Sequence, residues 1–167
     1  MKQLKLLSFL IILSGGLTLN SCIYHSDDNI PPNPDYQGYK AVYMSRQQLE
    51  SSIKISQPRS MTKAGKIYVK DQYIFITDEN KGFHIYDNTN PNAPQLVAFL
   101  EVPGATDMAI KNNTMFINQA IDLVAVTVTN NNVVVQKRIP NTFPQKISPD
   151  GYYYSSNENN IIVDWKY

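Results

Sequence analysis

A repeat constrains this chain more than any other feature. The run Lys70-Asp71-Gln72-Tyr73-Ile74-Phe75-Ile76 returns 41 residues later as Lys111-Asn112-Asn113-Thr114-Met115-Phe116-Ile117. The same spacing carries Phe83 onto Val124 and Ile85 onto Val126 with no gap. In the first copy Ile67 and Val69, then Tyr73 and Phe75, alternate with other residues around Asp71-Gln72. Such alternation marks half-buried strands, and two runs about a turn pair mark a hairpin. A second turn, Asp78 to Gly82, leads to a third strand, Phe83 to Tyr86. A polar loop then leads to a fourth, Gln95 to Val102, closed by Pro103-Gly104. In the second copy Val133 to Ile139 fills the place of that fourth strand. A third, partial copy reads Pro149-Asp150-Gly151-Tyr152-Tyr153-Tyr154, then Ile161-Ile162-Val163-Asp164.

A period near 40 residues with about four strands is the spacing of propeller blades. One such sheet cannot bury both faces, so its neighbours must cover them. The expected fold is all-β, with antiparallel sheets arranged as two full and one partial β-propeller-like blade. A short N-terminal helix or turn precedes them. Ser45-Arg46-Gln47-Gln48 has the form of a capping box, which predicts a turn or two of helix through Leu49.

The first 38 residues read differently. Met1 to Lys5 carries Lys2 and Lys5 and no acid, and Leu6 to Leu19 is mostly apolar. That is the anatomy of a secretory signal, and it is short for a membrane span. The run ends at Leu19-Asn20-Ser21-Cys22, which resembles a lipobox, with Asn20 the unusual member. The resemblance implies cleavage before Cys22 and lipid on its thiol. Cys22 is the only cysteine, so no intrachain disulfide can form. Ser26-Asp27-Asp28 resembles the acidic signal that sends Bacteroidetes-type lipoproteins to the outer face of the outer membrane. Pro31, Pro32 and Pro34 stiffen the segment beyond it into a spacer. The expected organisation is a leader over 1–21, an acidic and proline-rich tether over 22–38, and an incomplete repeat domain over 39–167.

Removing residues 1–21 leaves 13 basic against 14 acidic residues, because the leader holds two of the chain's 15 Lys and Arg. No basic field remains to hold nucleic acid. The expected partners are the membrane, through lipid on Cys22, and an envelope protein or glycan.

A family resemblance adds to this reading. Gly82-Phe83-His84-Ile85-Tyr86-Asp87-Asn88-Thr89-Asn90-Pro91-Asn92-Ala93-Pro94 resembles the signature of LVIVD-repeat proteins. There an apolar strand ends in aspartate, followed by an Asn-Pro loop and a second proline. Gly82, Asp87, Asn90, Pro91 and Pro94 are the residues that carry it. Ile161-Ile162-Val163-Asp164 is similar, while Leu123-Val124-Ala125-Val126-Thr127 lacks the aspartate. Val42 to Glu50 is similar to the lead-in of Bacteroidetes lipoproteins bearing these repeats. The resemblance implies a β-propeller displayed at the envelope. It brings no defined activity, cofactor or catalytic residue.

Candidate sites are few. Asp78, Glu79 and Asp87 suit turn chemistry better than a metal site, since their spacing matches no EF-hand loop. Asp87 is expected to fix the Asn88 to Pro94 loop by accepting backbone hydrogen bonds. His84 alternates with Phe83 and Ile85, which places it on the face away from the core. No nucleophile-and-base motif surrounds it. Tyr152, Tyr154, Trp165 and Tyr167 form an aromatic group that could make a contact surface, or else fill the core and cover a blade edge. The reading is a surface-displayed binding or structural module, not an enzyme, with no metal or cofactor. Its rivals are an envelope hydrolase or carbohydrate-active enzyme, using Asp78, Glu79, Asp87, Asp107 and Asp122, and a truncated remnant of a longer propeller.

Overall fold

The computed structural model describes residues 38–129, 132–157 and 159–167. Cys22 and Ser26, Asp27 and Asp28 lie outside the described residues, as do the leader and all of the tether but Gly38. Strand β1 (Lys40–Met44) leads into helix α1 (Arg46–Glu50), and β2 (Lys54–Ser56) comes next. The capping box forms in both directions. Ser45 Oγ accepts from Gln48 N at 3.2 Å, and Gln48 Oε1 accepts from Ser45 N at 2.8 Å.

The two repeats each build an antiparallel sheet. Sheet I runs β2-β6-β5-β4-β3, from β3 (Ala64–Lys70), β4 (Tyr73–Asp78), β5 (Gly82–Asp87) and β6 (Gln95–Glu101), with β2 added at its edge. Sheet II runs β10-β9-β8-β7, from β7 (Ala105–Lys111), β8 (Thr114–Gln119), β9 (Asp122–Thr129) and β10 (Asn132–Ile139).

Register shows how far the copies agree. The pairs Ile67–Ile76 and Val69–Ile74 recur as Met108–Ile117 and Ile110–Met115. The irregularity after Ala64 recurs after Ala105. The shift that skips Val97 in β6 recurs at Gln136 in β10. Shared bulges at matching places are features of one repeated unit rather than accidents.

The gapless alignment fails at one turn. Asp78 pairs with Gly82 across three residues, whereas Gln119 pairs with Asp122 across only Ala120 and Ile121. The second copy is one residue shorter there, so the counterpart of His84 is Val124 and that of Phe83 is Leu123. A one-residue slip exchanges the two faces of a strand. With the slip included, the back of sheet I packs on the front of sheet II. Phe75, Phe83, Ile85, Ala98 and Leu100 meet Met108, Met115, Ile117, Val124 and Val126 in one buried cluster.

The third copy does not form a sheet of this kind. Strand β11 (Ile161–Lys166) pairs with β1 in a two-stranded ribbon. Residues 152–156 belong to no strand, because local bonds fold the chain before them: Gly151 N donates to Ser148 O and Ser148 N to Tyr152 O. The ribbon lies across the end of the sheets that carries the β4–β5 and β8–β9 turns. There Ile161 and Val163 pack on Leu49 and Ala120. Asp164 accepts from Asn80 Nδ2 at 2.9 Å and from Lys81 Nζ, so it joins two elements instead of shaping a loop after its own strand.

Candidate functional site

The two ends of the sheet pair differ. At the ribbon end the copies are joined by backbone. Asn80 N donates to Ala105 O, Gly104 N to Asn80 O, and Ala120 N to Gly104 O, all within 3.1 Å. Gly104 has φ +81, and a Cβ there would sit 2.9 Å from that of Ala120, so the approach requires glycine. Gly82 is held likewise, at φ +139 with Leu100 O only 2.0 Å from any added Cβ. A side chain at Gly82 would therefore meet backbone, whereas the second repeat carries Asp122 at the matching place.

Two sealed carboxylates brace this end. Asp78 accepts from Thr62 N at 3.1 Å, Thr62 Oγ1 at 2.6 Å and Lys63 N at 2.8 Å, with His84 Nε2 at 3.3 Å. Burial pushes its carboxyl pKa up, but the bonds from Thr62, Lys63 and His84 outweigh burial and hold it below the usual range. Asp122 takes Arg46 and Arg138 together with Asn141 N. Both are fully buried. They tie distant segments together, which corrects the expectation of local turn chemistry for Asp78. His84 does face away from the sheet I–II core, as alternation predicts, yet it too is fully buried. Residues 57–63 strap across it, with Arg59 3.6 Å above the Phe99 ring, and His84 meets that ring edge-on. Asp78 and His84 thus lie buried side by side beneath this strap.

At the other end the sheets part. The hairpin turns Asp71-Gln72 and Asn112-Asn113 border a cleft of about 550 Å³. Phe75, Ile85, Ala98, Ile110, Met115 and Val128 line it, with Tyr73, Lys70 and the turn residues around them. Phe83, Leu100, Ile117 and Val124 are wholly covered, whereas Phe75, Ile85, Ala98 and Met115 keep 5%, 7%, 7% and 8% of their surface exposed. The core thus opens toward this end. Asp71 and Asn112 hold left-handed φ of 52° and 55°, which Asp and Asn tolerate in tight turns. The volume and the apolar floor with polar groups around it suit a ligand pocket.

The motif loop lies at the same end. Asp87 Oδ1 accepts from Thr89 N at 2.8 Å and from Thr89 Oγ1 at 2.6 Å. The Thr89 hydroxyl, then its amide, hold the Asp87 carboxyl below its usual range. Asn90 continues the turn by accepting from Asn92 N at 3.2 Å, with Pro91 and Pro94 exposed beside it. The aromatic residues Tyr154, Trp165 and Tyr167 lie along the β1–β11 ribbon. Tyr154 packs on Trp165 at 5.2 Å and donates to Tyr39 O, and Tyr39 meets Tyr167 edge-on at 5.4 Å. These rings clasp β1 to β11, and Tyr152, on the Ser148–Tyr152 turn, is 52% exposed. Among the described residues no three His, Cys, Asp or Glu side chains gather as a metal would require. Sequence reasoning missed the cleft, because its lining comes from residues each of which reads as ordinary core or turn.

Fold and site together define an all-β protein of packed antiparallel sheets with one sealed end and one open, cleft-bearing end. Comparison with protein-family models, with curated proteins and with solved structures finds no match in any of the three.

Proposed function

We propose that this chain is a lipid-anchored protein of the outer membrane, facing the cell exterior, that presents a propeller-like pair of blades as a binding module. It has no catalytic role, and its partner is an envelope protein or glycan. The cleft between the repeats carries the binding role: it is concave, floored by apolar side chains, and ringed by the turns farthest from the closed end. The blade reading rests on the back-to-front packing of two repeats with matching bulges. Anchoring rests on the leader and Cys22, and surface display on Ser26-Asp27-Asp28. The LVIVD resemblance of the Asp87 to Pro94 loop agrees with both.

Two arms test the proposal. Cys22→Ala is expected to abolish lipid labelling and release the protein from membranes; persistent labelling overturns the anchor. For binding, the detergent-purified chain is screened against envelope glycans and envelope proteins, beside Met115→Trp, which fills the cleft. A ligand held at least about tenfold more weakly by that variant supports the site, since losing a buried anchor in a pocket costs more than about 1.4 kcal/mol. No ligand, or one indifferent to the substitution, overturns it.

A further inference from the structure

The repeat registers expose a second surface. Ile67, Val69, Ile74 and Ile76 form two cross-strand pairs on the front of sheet I. Their counterparts, 41 residues on, are Met108, Ile110, Met115 and Ile117 on the front of sheet II. Those four lie under the back of sheet I. On sheet I the same positions face outward: Ile67 and Val69 are 63% and 67% exposed, and Ile74 and Ile76 are only partly covered. Tyr86 and Leu96 pair beside them and extend the patch. The strap of residues 57–63 covers the His84 and Phe99 end of this face.

The back of sheet II is the matching half. Phe116, Leu123 and Ala125 there are counterparts of Phe75, Phe83 and Ile85, the residues that cover the front of sheet II within the chain. All three are partly exposed, and Ile139 beside them is 45% exposed. One molecule therefore carries both halves of an interface that it already makes once internally. A contiguous exposed apolar patch of this kind marks an interaction site.

We infer that the front of sheet I is an interface for a second copy of this chain, filled by the back of that copy's sheet II. The contact is heterologous, head to tail, so it builds a ring or an open array rather than a two-fold dimer. It continues the packing between the repeats from one molecule into the next. It does not depend on the anchor or on the cleft ligand.

Disulfide trapping of the full chain in detergent tests this. Within the chain Ile110 and Ile85 line one cleft. Their counterparts across two molecules are Val69 and Ala125. Val69→Cys and Ala125→Cys are oxidised separately and as a mixture, with the parent chain as the control for Cys22. The mixture is expected to give at least about ten times more dimer than either variant alone, and adding Val69→Glu to the Ala125→Cys partner should leave that dimer unchanged. Placing Ile67→Glu in the Val69→Cys chain should remove it, with the thermal transition retained because both positions are exposed. No dimer above the parent level overturns the inference. Equal dimer from Val69→Cys alone also overturns it, because that is a two-fold contact.

Discussion

The two ends of the sheet pair use the same strands for different purposes. At the ribbon end, turns of the two copies exchange backbone hydrogen bonds, Asp78 and Asp122 are sealed under cations and amides, and α1 with the β1–β11 ribbon closes the core. At the hairpin end, the turns at Asp71 and Asn112 stand apart, and the core side chains keep some exposed surface. One end holds the copies in register, and that leaves the other free to stay open. Loops held by a rigid scaffold are where binding residues are usually found.

Substitutions sharpen the contrast. Phe83→Ala, at the fully covered end, should cost about 4 kcal/mol in urea unfolding, whereas Met115→Ala in the cleft wall should cost about 2 kcal/mol. Equal losses would erase the distinction. Asp78→Asn should cost about 2 kcal/mol at neutral pH, since a buried acceptor for several donors is weakened. The parent's advantage should shrink in acid. Asp78 has a lower pKa folded than unfolded, so its contribution is full above about pH 4, the unfolded value, and is lost as pH falls through the folded value. Stability curves of the two proteins that stay parallel down to acid pH would contradict that. Tyr73→Ala, beside the cleft, should change stability by less than about 1 kcal/mol. A larger loss would place Tyr73 among the supports of the fold.

The repeat and the capping box were legible because each depends on local pattern. The spacing from Lys70 to Lys111 and the Ser45–Gln48 pair need no tertiary information. The shortened turn at Ala120-Ile121 was not legible. Ile74-Phe75-Ile76 and Leu123-Val124-Ala125-Val126 are apolar at every position, so shifting either by one residue still places an apolar side chain inward. Alternation could not tell front from back there. Asp78 reads as a turn residue because it is next to a turn, and Asp122 also begins a strand beside one. Their partners, Thr62, Arg46 and Arg138, come from segments that only folding brings near. The third copy misled for a related reason: Ile161-Ile162-Val163 has strand chemistry, but its partner is β1, far away in sequence.

Native-state amide hydrogen exchange on the full chain tests the asymmetry most directly, because it reads opening free energy residue by residue. The amides of Asn80, Gly104 and Ala120, which join the copies at the sealed end, should exchange only through global unfolding. Those of Gln72 and Asn113, in the turns bordering the cleft, should exchange at least about a hundredfold faster, a difference of roughly 2.7 kcal/mol in opening. Comparable protection at both ends, or faster exchange at Asn80 and Gly104, would contradict the division into a sealed end and an open one.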